Sequence, residues 1–349
     1  MNRTMAAFVS VSWLAGLVPA VVRAQGGGPA DSGAARLTMI ADSARFLVAA
    51  SRIEGRTRHD SISLAAAISR GLRHPGWPVP GPAPGPGALL PARRIVAFYG
   101  NPLSTRMGIL GEIPPDRMLA RLEAIAAEWR RADPATPVQP ALHLIAVVAQ
   151  ELPGRDGLYR LRMDTTLIRK VYGWARDRGA ILFLDIQAGR STIAHELPRL
   201  LPWLALPDVH LAIDPEFYMH YRSAGHAPGK KVGTITAEEV NRAIGELGQL
   251  VTEHRLPPKV LVIHRFTIDM VQEARRIRLD PRVQVVMNMD GWGQPWMKFD
   301  GYALCAVTEP VQFTGFKLFF RHDTRWGDLL LTPRELMALR PRPLYIQYQ

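Results

Sequence analysis

Eight short, β-rich apolar runs recur along residues 94–349 and leave few ways to fold the chain. They are RIVAFYG (94–100), LHLIAVVAQ (142–150), AILFLDIQ (180–187), VHLAIDPE (209–216), KVLVIHRF (259–266), VQVVMNMDG (283–291), GFKLFF (315–320) and PLYIQYQ (343–349). Near-continuous apolarity, rather than alternation, marks strands buried on both faces of a parallel sheet. Helical periodicity fills the intervals in PDRMLARLEAIAAEWRRA, TTLIRKVYGWARDRG, TAEEVNRAIGELGQLVTEH and TIDMVQEARRIR, with shorter or weaker patterns after the third, sixth and seventh runs. Eight such units in a stretch of this length predict an α/β chain folded as a (β/α)8 TIM-type barrel. An open doubly wound sheet would place a Gly-rich phosphate turn after its first strand, and Tyr99-Gly100-Asn101-Pro102 is not one.

Upstream of the runs the composition changes. MNRTMAAFVSVSWLAGLVPAVVRAQ has an early Arg, an apolar stretch and a small residue before Gln25. This reads as a secretory signal peptide over residues 1–24 and a secreted or periplasmic protein. QGGGPADSGA (25–34) is a flexible linker, residues 35–72 carry two short helical patterns, with Asp60 or Ser61 capping the second, and HPGWPVPGPAPGPGALLPAR is a Pro/Gly-rich linker reaching residue 93. The helical extension is expected to cover the seam between the eighth and first strands.

Cys305 is the only cysteine, so no internal disulfide forms, and no apolar run after the signal is long enough to span a bilayer. A net charge of +12 points to an anionic partner or to an Arg-rich solvated surface. The basic residues are scattered, without a dense block interleaved with aromatics, so a nucleic-acid surface is not expected.

In a barrel of this kind chemistry sits at the carboxyl ends of the strands. Acidic groups there are Asp185, Asp214, Glu216 and Asp290, the candidate catalytic residues. Tyr99, Asn101, Gln187, His264, Asn288, Trp292, Lys317 and Gln347 are the candidate substrate contacts. Asp214 and Glu216 face one space unless Pro215 ends the strand, and each has a plain structural alternative: Asp214 as a cap, Glu216 as the partner of an Arg. Asp185 either hydrogen-bonds Asp214 or forms a buried salt bridge to Arg190. The loop DGWGQPWMKFDGY brings Trp292, Trp296, Phe299 and Tyr302 together, for stacking on sugar rings or for a small core of its own. FYMHYRSAGHAPGKKVGT, with His220, His226, Lys230 and Lys231, is expected to lay positive charge over Asp214 and Glu216. No H-x-H or H-E-x-x-H spacing occurs, so neither a metal nor a cofactor is expected.

The set FYGNP, LDIQAGRS, LAIDPEF, LPPKVLVIHRF, MDGWG, GFKLFF and IQYQ resembles an uncharacterised family of secreted or lipoprotein-type bacterial proteins, mostly actinobacterial, over about Arg94 to Gln349. That resemblance supports a barrel boundary and implies no particular chemistry. Asp214-Pro215-Glu216 is also faintly similar to the D-x-E of chitinase-like glycoside hydrolases, and Met287-Asn288-Met289-Asp290 to their M-x-Y-D stretch with Met289 in place of the tyrosine. It implies a (β/α)8 barrel with Glu216 as the proton donor. Val209 and Ala212 stand where that family has its two earlier acids on strand four, so a substrate-assisted mechanism is not implied.

The expected function is a secreted hydrolase acting on a polysaccharide or cell-wall glycan, neutral or anionic, through paired carboxylates. A non-catalytic glycan- or wall-binding barrel and a metal-dependent phosphodiesterase are the alternatives. Terminal sequencing of the exported protein should find Gln25 at or near its start. Met1 retained in a membrane fraction would contradict the signal-peptide reading.

Overall fold

The computed structural model describes residues 55–349. The signal segment, the linker over 25–34 and the first of the two helical patterns in 35–72 lie outside the described residues. Strands β1 (Arg94–Gly100), β2 (Val138–Ala149), β3 (Ile181–Ile186), β4 (Val209–Ile213), β5 (Lys259–Arg265), β6 (Val283–Met289), β7 (Phe313–Leu318) and β8 (Tyr345–Tyr348) pair in parallel in chain order. Because β8 also pairs with β1, the sheet closes on itself, and the fold is a (β/α)8 barrel. A short strand, Arg160–Arg162, adds antiparallel to the end of β2.

The helices follow their local chemistry. α1 (Arg58–Arg73) begins with a capping box in which Thr57 is the cap and Asp60 the third helical residue, so the cap lies three positions before the expected Asp60. α2 (Pro115–Ala132) starts with Pro in the first turn, where a missing N–H has no consequence. Asp164 caps α3 (Thr165–Arg176), and Thr236 with Glu239 forms the capping box of α4 (Ala237–His254). After β6 comes α5 (Pro295–Tyr302), and α6 (Pro333–Ala338) precedes β8.

One expectation needs correction. TIDMVQEARRIR is not a helix: it forms two 3₁₀ turns around a two-residue strand, Val271–Gln272, which pairs with Ile235–Thr236. The cause is Arg265 at the end of β5. Its buried guanidinium donates to the carbonyls of Ile268 at 2.6 Å and Val271 at 3.2 Å and pairs with Glu309, so these carbonyls are held by a side chain instead of a helical turn. At the seam, Trp129 Nε1 of α2 donates to the Tyr348 hydroxyl of β8 at 3.0 Å, and α1 packs on α5; the first helical pattern, also expected to cover the seam, lies outside the described residues.

Alternation turns every second strand residue toward the axis. Ile95, Ala97, Ala141, Ile181, Phe183, Ala212, Val260, Val262, Val286 and Tyr345 fill the lower interior as one apolar cluster. The Pro/Gly-rich linker has no helix or strand, as its composition requires, and its end closes the barrel from below. Leu90, 1% exposed, joins that cluster, and Gln284 binds its backbone by accepting from the N–H of Leu89 and Leu90. Leu90→Ala is therefore expected to lower stability by about 2–5 kcal/mol in urea unfolding, against under about 0.5 for half-exposed Leu72→Ala. Equal effects of the two changes would show that the linker does not seal the barrel.

Candidate active site

Above the apolar plug the inward positions become polar. Tyr99, His143, Asp185, Asp214, His264, Asn288, Lys317 and Gln347 all lie at the carboxyl-end part of the barrel, each 3% exposed or less. Register explains their convergence: Tyr99 is level with His143, His264 with Asn288, and Lys317 with Gln347. Gly315, the inward residue of β7 below Lys317, leaves room here. A Cβ at this position would fall 2.6 Å from Asn288 Oδ1, so only glycine admits the neighbouring amide.

Asp185 occupies the centre. Its Oδ2 lies 3.6 Å from His143 Nε2 and 3.8 Å from His264 Nε2, and it neither bonds Asp214 nor reaches Arg190. Arg190 instead holds the Gly225 carbonyl and lies over the Tyr159 ring. His264 Nδ1 is 2.8 Å from Asp290 Oδ2, and Lys317 Nζ is 2.8 Å from Asp290 Oδ1. Lys317 also lies 3.9 Å from the centre of the Tyr99 ring. On the other side, His143 Nδ1 is 2.6 Å from the Tyr345 hydroxyl and 2.9 Å from Gln347 Nε2.

The Asp-Pro-Glu segment forms the rim. Pro215 does end β4, and Asp214 caps the 3₁₀ turn Pro215–Phe217 by accepting from Glu216 N at 3.1 Å. The capping alternative and the mouth position are thus one and the same arrangement. Gln187 Nε2 donates to Asp214 Oδ2 at 3.1 Å and to the Tyr99 hydroxyl at 3.2 Å, linking three strands. Glu216 is half-buried, and among the described residues its carboxyl has no Arg partner.

Protonation divides along these contacts. Burial opposes charge on Asp290, but Lys317 and His264 outweigh it and hold the carboxyl at about 2. Asp185 is likewise lowered against burial, by His143 and His264. Burial raises Asp214 to about 7, with Asp185 and Asp290 adding repulsion, and raises Glu216 well above the carboxylate range, helped by Asp214 and Asp290. His143 is pushed down to about 4 by burial, whereas His264 is raised because Asp290 and Asp185 outweigh its burial.

Other candidates lie elsewhere or do other work. Asn101 is buried in the loop after β1, donating to the Ile145 carbonyl and accepting from Leu103 N, so it organises backbone. Trp296 stacks on His59 of α1, and Phe299 and Tyr302 are core residues, leaving Trp292 at the surface. Lys230 pairs with Glu151 and Lys231 holds the Arg222 carbonyl, so Lys317 supplies the cation near the carboxylates, not the loop after β4. Sequence reading missed His143, which lies mid-strand in LHLIAVVAQ because β2 starts at Val138, and a register shift between Ile145 and Val147 lengthens it. A lone His at an inward position of an apolar strand was the available signal. Missed too was Trp326, 47% exposed and stacked 6.0 Å from Trp292, with the Arg325 guanidinium 4.7 Å from its ring centre.

The polar cluster is sealed in this conformation. A surface hollow of about 480 Å³ lies away from it and is lined by Arg121, Ile125, Glu128, Phe320 and Tyr348 among others. The buried charges rather than that hollow mark the candidate site, because desolvated and mutually shifted carboxyls cost stability with no structural return. No family model matches the chain, and no curated protein matches its sequence.

The sign of the Asp214 shift gives a pH test. A folded-state value of about 7 lies above the unfolded one, so the folded protein holds the extra proton between roughly pH 4 and 7 and loses stability as pH rises through that window. Urea unfolding over this range should show a shallower loss for Asp214→Asn than for the unaltered chain. Identical slopes would place the titration elsewhere.

Proposed function

We propose that the protein is an extracytoplasmic hydrolase that cleaves glycosidic bonds in a polysaccharide or cell-wall glycan, with Glu216 as general acid and Asp214 as its basic partner. The observation that carries this reading is the division of protonation at one rim. Burial and the neighbouring Asp214 and Asp290 raise Glu216 well above the carboxylate range, burial raises Asp214 to about 7, and Lys317, 2.8 Å from Asp290, helps hold that carboxyl at about 2. Glycoside cleavage needs such a division, one carboxyl to protonate the leaving oxygen and one carboxylate to assist attack at the sugar carbon. Glu216 is the less buried of the pair and, among the described residues, has no competing partner, which suits a group that must meet the substrate.

The surface beside it supports a sugar. Trp292 follows Asp290 by two residues, and with Trp326 it presents paired aromatic faces under Arg325. Aromatic faces stack on sugar rings, and a guanidinium above them favours an anionic substituent, in keeping with the net charge of +12. The D-x-E likeness to chitinase-like hydrolases and the signal-like N-terminus agree with this reading.

Polysaccharide and cell-wall panels assayed for new reducing ends test it. On the polymer that is cleaved, Glu216→Gln should lower turnover by roughly 10²–10⁴-fold while binding is kept, since the amide fills the same space without a proton to give. Asp214→Asn should also impair turnover. Undiminished hydrolysis by Glu216→Gln would remove that residue from the mechanism, and binding with no hydrolysis by the unaltered protein would favour a non-catalytic barrel.

A further inference from the structure

Three atoms converge on one buried point near the barrel axis. His143 Nε2, His264 Nε2 and an Asp185 carboxylate oxygen belong to side chains with 0% exposure and lie within 4.8 Å of one another. None of them has a hydrogen-bond partner among the described residues. Separations of 3.6 and 3.8 Å are too long for the groups to satisfy each other, and buried polar atoms without partners are costly. A single proton on one ring would serve one of the two gaps and leave the other open.

We propose that His143, Asp185 and His264 form a binding site for a divalent transition-metal cation of the zinc class. Two imidazoles and one carboxylate are a donor set that zinc accepts, with a further position left for water or a substrate oxygen. Bonds of about 2.0–2.2 Å in tetrahedral geometry set ligand atoms roughly 3.4 Å apart, so the 3.6 and 3.8 Å Asp185 contacts would contract slightly, while the two ring nitrogens, which lie within 4.8 Å of each other, would close by as much as about 1.4 Å.

The outer contacts are those of metal-binding histidines. His264 places its other nitrogen 2.8 Å from Asp290, itself anchored by Lys317, and His143 places its other nitrogen 2.6 Å from the Tyr345 hydroxyl. With His264 Nδ1 donating to Asp290, and His143 Nδ1 donating to the Tyr345 hydroxyl once the Gln347 amide turns its oxygen instead of Nε2 toward the ring, both Nε2 lone pairs are directed at the point. The ligands come from β2, β3 and β5, so no local spacing motif announces them. The site does not depend on which polymer the protein cleaves, or on whether it cleaves one.

Because the three side chains are sealed, the full chain should be unfolded in urea and refolded with excess zinc chloride or with EDTA, then desalted for metal analysis and thermal melting. About one zinc per chain and a higher Tm than the EDTA sample are expected, since a ligand specific to the folded state raises its stability. His143→Ala should lose the zinc, and Asp185→Asn, which keeps volume, serves if the alanine variant does not refold. Asp290→Asn should bind roughly 10–100-fold more weakly, as removal of an outer-shell partner does. Exposed His226→Ala should bind as the unaltered chain does. The proposal fails if the unaltered chain retains no zinc, or if the His143 and Asp185 variants retain as much as it does.

Discussion

Closure of eight parallel strands is the constraint on which everything else in this structure depends. Once β8 pairs with β1, no strand of the barrel has a free edge, and alternation commits half of every barrel strand to a space too narrow for bulk water. Apolar residues satisfy that condition in the lower barrel, with Leu90 completing the seal. At the carboxyl ends the same condition applies to Asp290, which pairs with His264 and Lys317, and to Asp185, which faces His143 and His264 at 3.6 and 3.8 Å.

The chemistry follows from that enforced proximity. Two carboxyls gain stabilising neighbours and are held below the usual carboxylate range, while burial and repulsion raise Asp214 to about 7 and Glu216 well above that range. Proton affinity is thus set by which strand end carries the cation, Lys317 on β7, and which carries a second acid, β4. Strands hold these groups more firmly than loops would. The outer shell, Tyr345, Gln347 and Gln187, fixes ring and amide orientations from neighbouring strands.

Much of this was legible in the chain. The eight runs found the eight strands because burial on both faces makes such strands apolar throughout, and reading their carboxyl ends collected Asp185, Asp214, Glu216, His264, Asp290 and Lys317. Failures came where a tertiary contact overrode local pattern. The periodicity of TIDMVQEARRIR is helical, yet Arg265 captures its carbonyls. Phe299 and Tyr302 have the composition of a sugar-stacking loop, yet α5 turns them into the core.

By itself, then, the sequence determined the fold class, the order of its elements and the rim on which acidic groups gather, since periodicity and burial act along the chain and can be read from it. Only the tertiary structure decided which groups touch. Whether Asp185 meets Arg190, Asp214 or two histidines depends on strand register and barrel stagger, which no local pattern encodes. His143 shows the difference most plainly: as a residue in LHLIAVVAQ it is one polar atom pair in an apolar strand, and it becomes a neighbour of Asp185 only when closure brings β2 and β3 around a common axis.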